Sequence, residues 1–228
     1  IVNGHVIVID SNYVTGSKDS GIPVNTGSSR VSVTNNYVTG FTYGVSLSSN
    51  GNTDFATTGD VRHCVVSNNL IVASKASSYG IEIDGTQASS ICSNSIRLNG
   101  GAYGIRLSSS GNVSGVDVLG CEIGDNAIDC ISDTASAALE INGTGDITST
   151  SFNGNVLFAV SARTNANGLN IQGGVKCNVE NTAIYKLNKA IEVNHNNVAS
   201  EVWLTRMVVR GCSVGVQAPY THANKCKL

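Results

Sequence analysis

The chain is poor in most of what marks a helical enzyme or a nucleic-acid binder. Two prolines stand among 228 residues. Proline cannot donate to a sheet ladder, so its scarcity suits a chain made mostly of paired strands. Aromatic residues make up 5% and charged residues 13%, with 14 basic against 16 acidic. No basic stripe exists to meet a polyanion, so no nucleic-acid partner is expected. No run approaches the roughly 20 apolar residues of a membrane span, so no membrane partner is expected either. No secretory leader is visible. The only methionine is Met207 and the chain begins at Ile1, which reads as a cut from something longer. No amphipathic helix covers the first strands, and repeat coils usually cap their ends, so more protein is expected upstream.

Cysteine and histidine are present without a pattern. Cys64, Cys92, Cys121, Cys130, Cys177, Cys212 and Cys226 include no Cys-x-x-Cys pair, which speaks against structural zinc and thioredoxin-type chemistry. Most lie in strand-like runs, where cysteine serves as a small apolar filler. They are expected to be reduced, with Cys226 the most exposed. His5, His63, His195 and His222 lack metal-ligand spacing. No metal or other cofactor is expected.

What the chain does have is one recurring phrase. Tyr79-Gly80-Ile81-Glu82-Ile83 returns as Tyr103-Gly104-Ile105-Arg106-Leu107, and both echo Tyr43-Gly44-Val45-Ser46-Leu47. Weaker copies begin at Gly21, Ala127, Gly168, Ala190 and Gly215. Five of the seven steps between copies fall within 22 to 25 residues; the two longer ones read as insertions at Ser48 to Asp60 and Ser132 to Asn142. A second signal runs in phase, as in Asn12-Tyr13-Val14, Asn36-Tyr37-Val38, Asn94-Ser95-Ile96 and Asn181-Thr182-Ala183-Ile184. Asparagine tolerates the left-handed backbone of a sharp bend between strands. Each repeat thus reads strand, Asn bend, strand, Gly, strand, polar loop. Repetition at this period predicts a coil of stacked strands. The fold class expected is all-β, a right-handed parallel β-helix of about eight turns. It spans residues 1–218, with a short tail over 219–228. A leucine-rich repeat fits badly, because no helical face appears.

Side chains alternate along a strand, so the residue between the two aliphatics of the phrase points outward. Stacking the copies puts Pro23, Ser46, Glu82, Arg106, Asp129, Asn170, Glu192 and Gln217 in one surface column. Glu82 and Asp129 would then lie two turns apart, about 9–10 Å, with Arg106 between them. That is the upper edge of the separation between acid and base in inverting glycosidases. Asp84 shares the outward face of Glu82 and offers a closer pair. The candidate catalytic residues are therefore Glu82, Asp84 and Asp129, with Arg106 as a binder of anionic sugar. Alternating charge on neighbouring strands is also ordinary surface stabilisation. Tyr43, Tyr79 and Tyr103 form a second column, either a glycan platform or a ladder of rings packed on one another. Trp203, the sole tryptophan, is expected to face outward and anchor a subunit interface.

From Val6 to about Gln217 this pattern resembles the pectate-lyase-like β-helix superfamily, most closely in the style of phage tailspikes and capsule depolymerases. The likeness rests on turn length, Asn bends and Gly-aliphatic-x-aliphatic strands. Of the polygalacturonase-like signatures only Asn52-Thr53-Asp54 appears, without its partners, so no catalytic residue carries over. The resemblance implies a homotrimer that binds bacterial surface polysaccharide and cleaves it as a glycoside hydrolase or lyase, on a virion tail or outside the cell. The alternative is a non-catalytic β-helix: a shaft, adhesin or receptor-binding spacer.

Overall fold

A computed structural model describes residues 5–25, 27–48, 61–100, 103–109, 118–133, 135–194, 201–217 and 225–227. Among them every regular element is a strand, and every strand pairing is parallel. The strands stack in three parallel sheets that the chain visits in rotation, a parallel β-helix-like coil. The first sheet contains Ser20–Asn25, Tyr43–Ser48, Tyr79–Asp84, Tyr103–Ser109, Lys189–Asn194 and Val214–Gln217. The third contains Tyr13–Thr15, Tyr37–Thr39, Leu70–Ala73, Ser95–Leu98, Ala127–Cys130, Val156–Phe158, Ala183–Tyr185 and Val208–Arg210. The second lies between them in chain order. Ala137–Asn153 and Asn167–Glu180 run continuously from the first sheet into the second.

Purely parallel sheets are usually covered on both faces and read as unbroken apolar runs. Here each sheet turns one face inward, and the sequence alternates instead. In Tyr79–Asp84 the side chains of Ile81 and Ile83 are fully buried while Glu82 and Asp84 are half-buried on the other face. The interior is a set of aliphatic ladders: Val45, Ile81, Ile105, Leu139, Leu169 and Ile191 occupy successive strands of the first sheet. Ile128 does not belong to that ladder. It stacks between Ile96 and Leu157 on the third sheet, and faces Gly104 across the interior. A Cβ on Gly104 would come within 2.5 Å of Ile128 Cγ2 and 2.4 Å of the Ala138 carbonyl oxygen. The glycine of the phrase thus makes room for a β-branched residue from the opposite wall.

The bends between the second and third sheets are held by a buried ladder of asparagines: Asn12, Asn36, Asn69, Asn94, Asn126 and Asn155. Asn94 is representative. Its Oδ1 accepts from the backbone N–H and the amide of Asn69, at 3.1 and 3.0 Å. Its own amide donates to the Val66 and Cys92 carbonyls and to Asn126 Oδ1. The left-handed residue is the one before the ladder: Ser11, Asn35, Asn68, Ser93, Asp125 and Gly154 all have positive φ. The expectation that Asn12, Asn36 and Asn94 themselves take the left-handed backbone is therefore corrected by one residue. Their task is to fill the polar interior of the bend; Asn181 alone of the four follows the expectation, at φ 47°.

Removing a buried Asn strands several backbone partners at once. Asn94→Ala is expected to cost about 2–4 kcal/mol, by the desolvation of unpaired buried groups. Asn12→Ala, on the partly exposed first turn, is expected to cost less than about 1 kcal/mol. Urea unfolding of the two variants checks this; equal costs would contradict the ladder's role. Gly104→Ala is expected to lose about 1–3 kcal/mol through overpacking against Ile128, read from the same curves.

Candidate functional site

The outward face of the first sheet brings most of the candidate residues together. Pairing register places Pro23, Ser46, Glu82, Arg106, Glu140, Asn170, Glu192 and Gln217 on successive strands. Seven of these are the residues expected from the phrase. Asp129 is not among them: it lies on the third sheet, between Arg97 and Phe158. Glu140 holds the place assigned to it. The physical reason is that Ala127-Ile128-Asp129 follows the ladder residue Asn126, just as Ser95-Ile96-Arg97 follows Asn94. The segment is a third-sheet strand with a first-sheet rhythm. The expected insertion, Ser132 to Asn142, in which Ala138 to Ile141 reads as an extra strand, supplies the true copy, with Ala138 at the place that glycine holds in Gly80 and Gly104.

Glu140 could have been found from sequence. Ala138-Leu139-Glu140-Ile141 repeats the small, aliphatic, charged, aliphatic order of Gly104-Ile105-Arg106-Leu107. It is 1% exposed although it points away from the coil's interior. Burial raises its pKa, opposed by Arg106 and by the Tyr103 phenol. Asn170 and Gln172 amides approach its Oε1 at 3.5 Å. Arg106 Nε lies 3.1 Å from Glu140 Oε2, outside hydrogen-bond geometry. Arg106 Nη1 lies 3.9 Å from Glu82 Oε1 and donates to Tyr79 Oη at 3.2 Å. Its guanidinium also sits 5.2 Å from the centre of the Tyr79 ring.

Glu82 is the perturbed acid of this face. Burial is the main cause, and repulsion from Asp84 adds to it. Arg106 and the Ser46 hydroxyl oppose the shift. The net result pushes the carboxyl up to about 7. Asp84 lies two residues along the same strand and accepts from Ser108 Oγ at 3.4 Å. Two residues of strand separate their Cα atoms by about 6.6 Å. Asp129, on the other sheet, also has a raised pKa from burial, countered by Arg97 and Arg163. Its Oδ1 is buried with no hydrogen-bond partner among the described residues.

The three tyrosines do stack in a column. Tyr43 and Tyr79 ring centres are 5.1 Å apart at 9°, and Tyr79 and Tyr103 are 5.4 Å apart at 16°. Their ring faces are turned to one another and to Arg106, so their outer edges and hydroxyls are what a ligand would meet. Tyr13 and Tyr37 make a separate stack on the third sheet. Asp133 of the expected loop accepts from the Thr164 N–H at 3.2 Å. Most of the other expected loop, with Asn52, Asp54, Phe55 and Asp60, lies outside the described residues, as do His195, His222, Tyr220 and the side chain of Cys226. Six described cysteines are free thiols. No cluster of three or more His, Cys, Asp or Glu residues among the described ones could hold a metal. Among the described residues no helix is long and apolar enough to cross a membrane.

No family of known proteins matches the chain in sequence, and no curated protein is similar enough to count as a relative.

The raised carboxyl makes a stability prediction with a definite sign. Between its unfolded value near 4.3 and about 7, native Glu82 holds a proton that the unfolded chain has released. Stability therefore falls as pH rises across that window, and the penalty persists above it. Glu82→Gln cannot ionise, and Arg106 keeps Glu140. Relative to wild type, the variant is expected to gain about 1–3 kcal/mol on going from pH 4 to pH 8. Thermal unfolding at the two pH values measures it; a difference that does not change with pH would refute the burial of a protonated Glu82.

Proposed function

We propose that the chain is a right-handed parallel β-helix of about eight turns that binds and cleaves a polysaccharide on its first sheet. In this reading it is a domain of a homotrimeric tailspike-like protein acting on bacterial surface glycans from a virion tail or outside the cell. The observation that carries the proposal is the Glu82 carboxyl near pKa 7, beside a second carboxylate and a guanidinium on a rigid face. Glu82 is the general acid and protonates the glycosidic oxygen, since an acid works best with a pKa near the operating pH. Asp84 is the general base that activates water. Their Cα atoms stand about 6.6 Å apart on one face of the strand; inversion needs the carboxyl groups themselves about 6.5–9.5 Å apart, so that a water fits between base and sugar. Arg106 orients an anionic substituent, and the Tyr43, Tyr79 and Tyr103 hydroxyl edges line the approach. Asp129 has no part in this pair.

A second reading is a non-catalytic shaft, adhesin or receptor-binding spacer. It is favoured by the internal pairing of Arg106, whose ring contacts and carboxylate neighbours all come from the same sheet. Incubation with a panel of capsular and O-antigen glycans separates the two. The cleaving reading expects new reducing ends, and a loss of at least about 100-fold in rate for Glu82→Gln and Asp84→Asn, with native melting curves at pH 5. Intact glycans throughout the panel would leave the shaft.

A further inference from the structure

The second sheet carries a cleft that the proposed chemistry of the first sheet does not use. It encloses about 370 Å³, within the roughly 300–1,000 Å³ of small-ligand sites. Ser151, Asn178 and Trp203 rise through it on three adjacent strands in one register column. Neighbouring strands lie about 4.8 Å apart, so the column spans about 10 Å. Lys176 lines the cleft, and Thr148 and Ser149 complete one wall. Ser149 has φ 53°, and the strand's register shifts between Ile147 and Thr150. That irregularity sets a row of hydroxyls along the rim.

Two features of this cleft point to a ligand. Trp203 is 37% exposed, on the outward side of a strand whose inward neighbours Val202 and Leu204 are buried. Asn178 donates its amide to Glu180, while its carbonyl oxygen is buried with no hydrogen-bond partner. A buried acceptor without a donor costs free energy, which a bound hydroxyl would recover if the half-buried Asn178 side chain rotated its oxygen toward the cleft. An indole beside hydroxyls, an unsatisfied amide oxygen and an ammonium matches one chemistry. The C–H face of a pyranose packs on the ring, its hydroxyls meet the polar wall, and a carboxylate meets the lysine. Glu201 pairs in register with Lys176 but does not line the cleft. Among the described residues no carboxylate lines it, so these supply no acid and base for glycoside cleavage.

We propose that this cleft is a non-catalytic subsite for a uronic-acid sugar, held by Trp203, Asn178 and Lys176 apart from the first-sheet residues. It rests on the carbohydrate reading above and adds a second contact for the same class of polymer. Trp203 is the only tryptophan in the sequence, so its emission reports on this cleft alone.

The test is a fluorescence titration of the full chain with oligogalacturonates, alginate oligomers and hyaluronan oligomers, alongside neutral malto-oligosaccharides. A saturable emission change is expected with at least one uronate and not with the neutral set. Lys176→Met is expected to weaken it about tenfold, and Glu82→Gln to leave it unchanged. No response to any uronate overturns the proposal, as does an equal response to neutral sugars that Lys176→Met does not alter. An emission that changes only with protein concentration also overturns it, by assigning the cleft to a contact between copies. Glycan cleavage without a titration sinks this subsite alone. Titration without cleavage sinks the first-sheet chemistry and keeps the subsite.

Discussion

A coil this narrow must bury its bends, and a buried bend exposes backbone groups that no strand ladder reaches. The asparagine ladder answers that constraint. Asn36, Asn69 and Asn94 each satisfy an N–H of one neighbouring turn and a C=O of their own and of that turn, as Asn36 does with Asn12, Ile9 and Thr34. Buried polar groups that are fully paired specify a structure more sharply than apolar packing alone. Because each Asn binds the next, the ladder also fixes how far one turn is rotated against another. The alignment of outward columns on all three sheets follows from it. The ladder ends where Thr182 succeeds Asn155 in register, and there the threonine hydroxyl turns back to its own chain at Glu180.

A second bend accounts for three of the seven cysteines. Val31, Cys64, Ser89, Cys121, Thr150, Cys177 and Val202 occupy one inward column of the second sheet. Several follow a left-handed residue: Arg30, His63, Ala88, Gly120 and Ser149. The space inside the bend admits only a small side chain, and thiols and hydroxyls there reach nearby carbonyls, as Cys121 Sγ does with Thr86. Burial pushes the Cys177 thiol up to about 12, which keeps it neutral and inert. At Cys64, Cys121 and Cys177 the choice of cysteine is thus a matter of volume.

Much of this was legible before any coordinates. The Tyr-Gly phrase aligned Tyr43, Tyr79 and Tyr103, and with them Ser46, Glu82 and Arg106, because identical residues on adjacent turns leave no doubt about register. The reading failed where the phrase lost its tyrosine. A small residue, an aliphatic, a charge and a second apolar residue describe Ala127 to Cys130 as well as Ala138 to Ile141. Alternation alone cannot tell one sheet of a three-sheet coil from another. The discriminating mark was the bend: Asn126 precedes Ala127 as Asn94 precedes Ser95. Glycine was not a safe guide either. Ala138 and Ala190 hold its place in the column, in register with Gly104 and Gly168.

The correction changes the chemistry of the face more than its geometry. With Asp129 in the column, Arg106 would have stood between two carboxylates of similar exposure. With Glu140 there, its nearer partner is almost wholly buried, at 3.1 Å, and Glu82 is the farther one, at 3.9 Å. One guanidinium faces Glu82 and Glu140, and Asp84 stands beside Glu82 on the same strand. A partly desolvated cluster with three carboxyl groups and one cation lowers its charge by keeping a proton, and the group with the weaker hold on the cation keeps it near neutral pH. Glu82 meets that description, since burial and Asp84 outweigh Arg106. The ladder of charges that looks purely structural therefore produces a protonated carboxylic acid on an outward strand. Burial beside Asp84 is what maintains such an acid, against Arg106; because Glu140 is the nearer partner of Arg106, that internal pairing is compatible with the proposed cleavage as well as with the shaft.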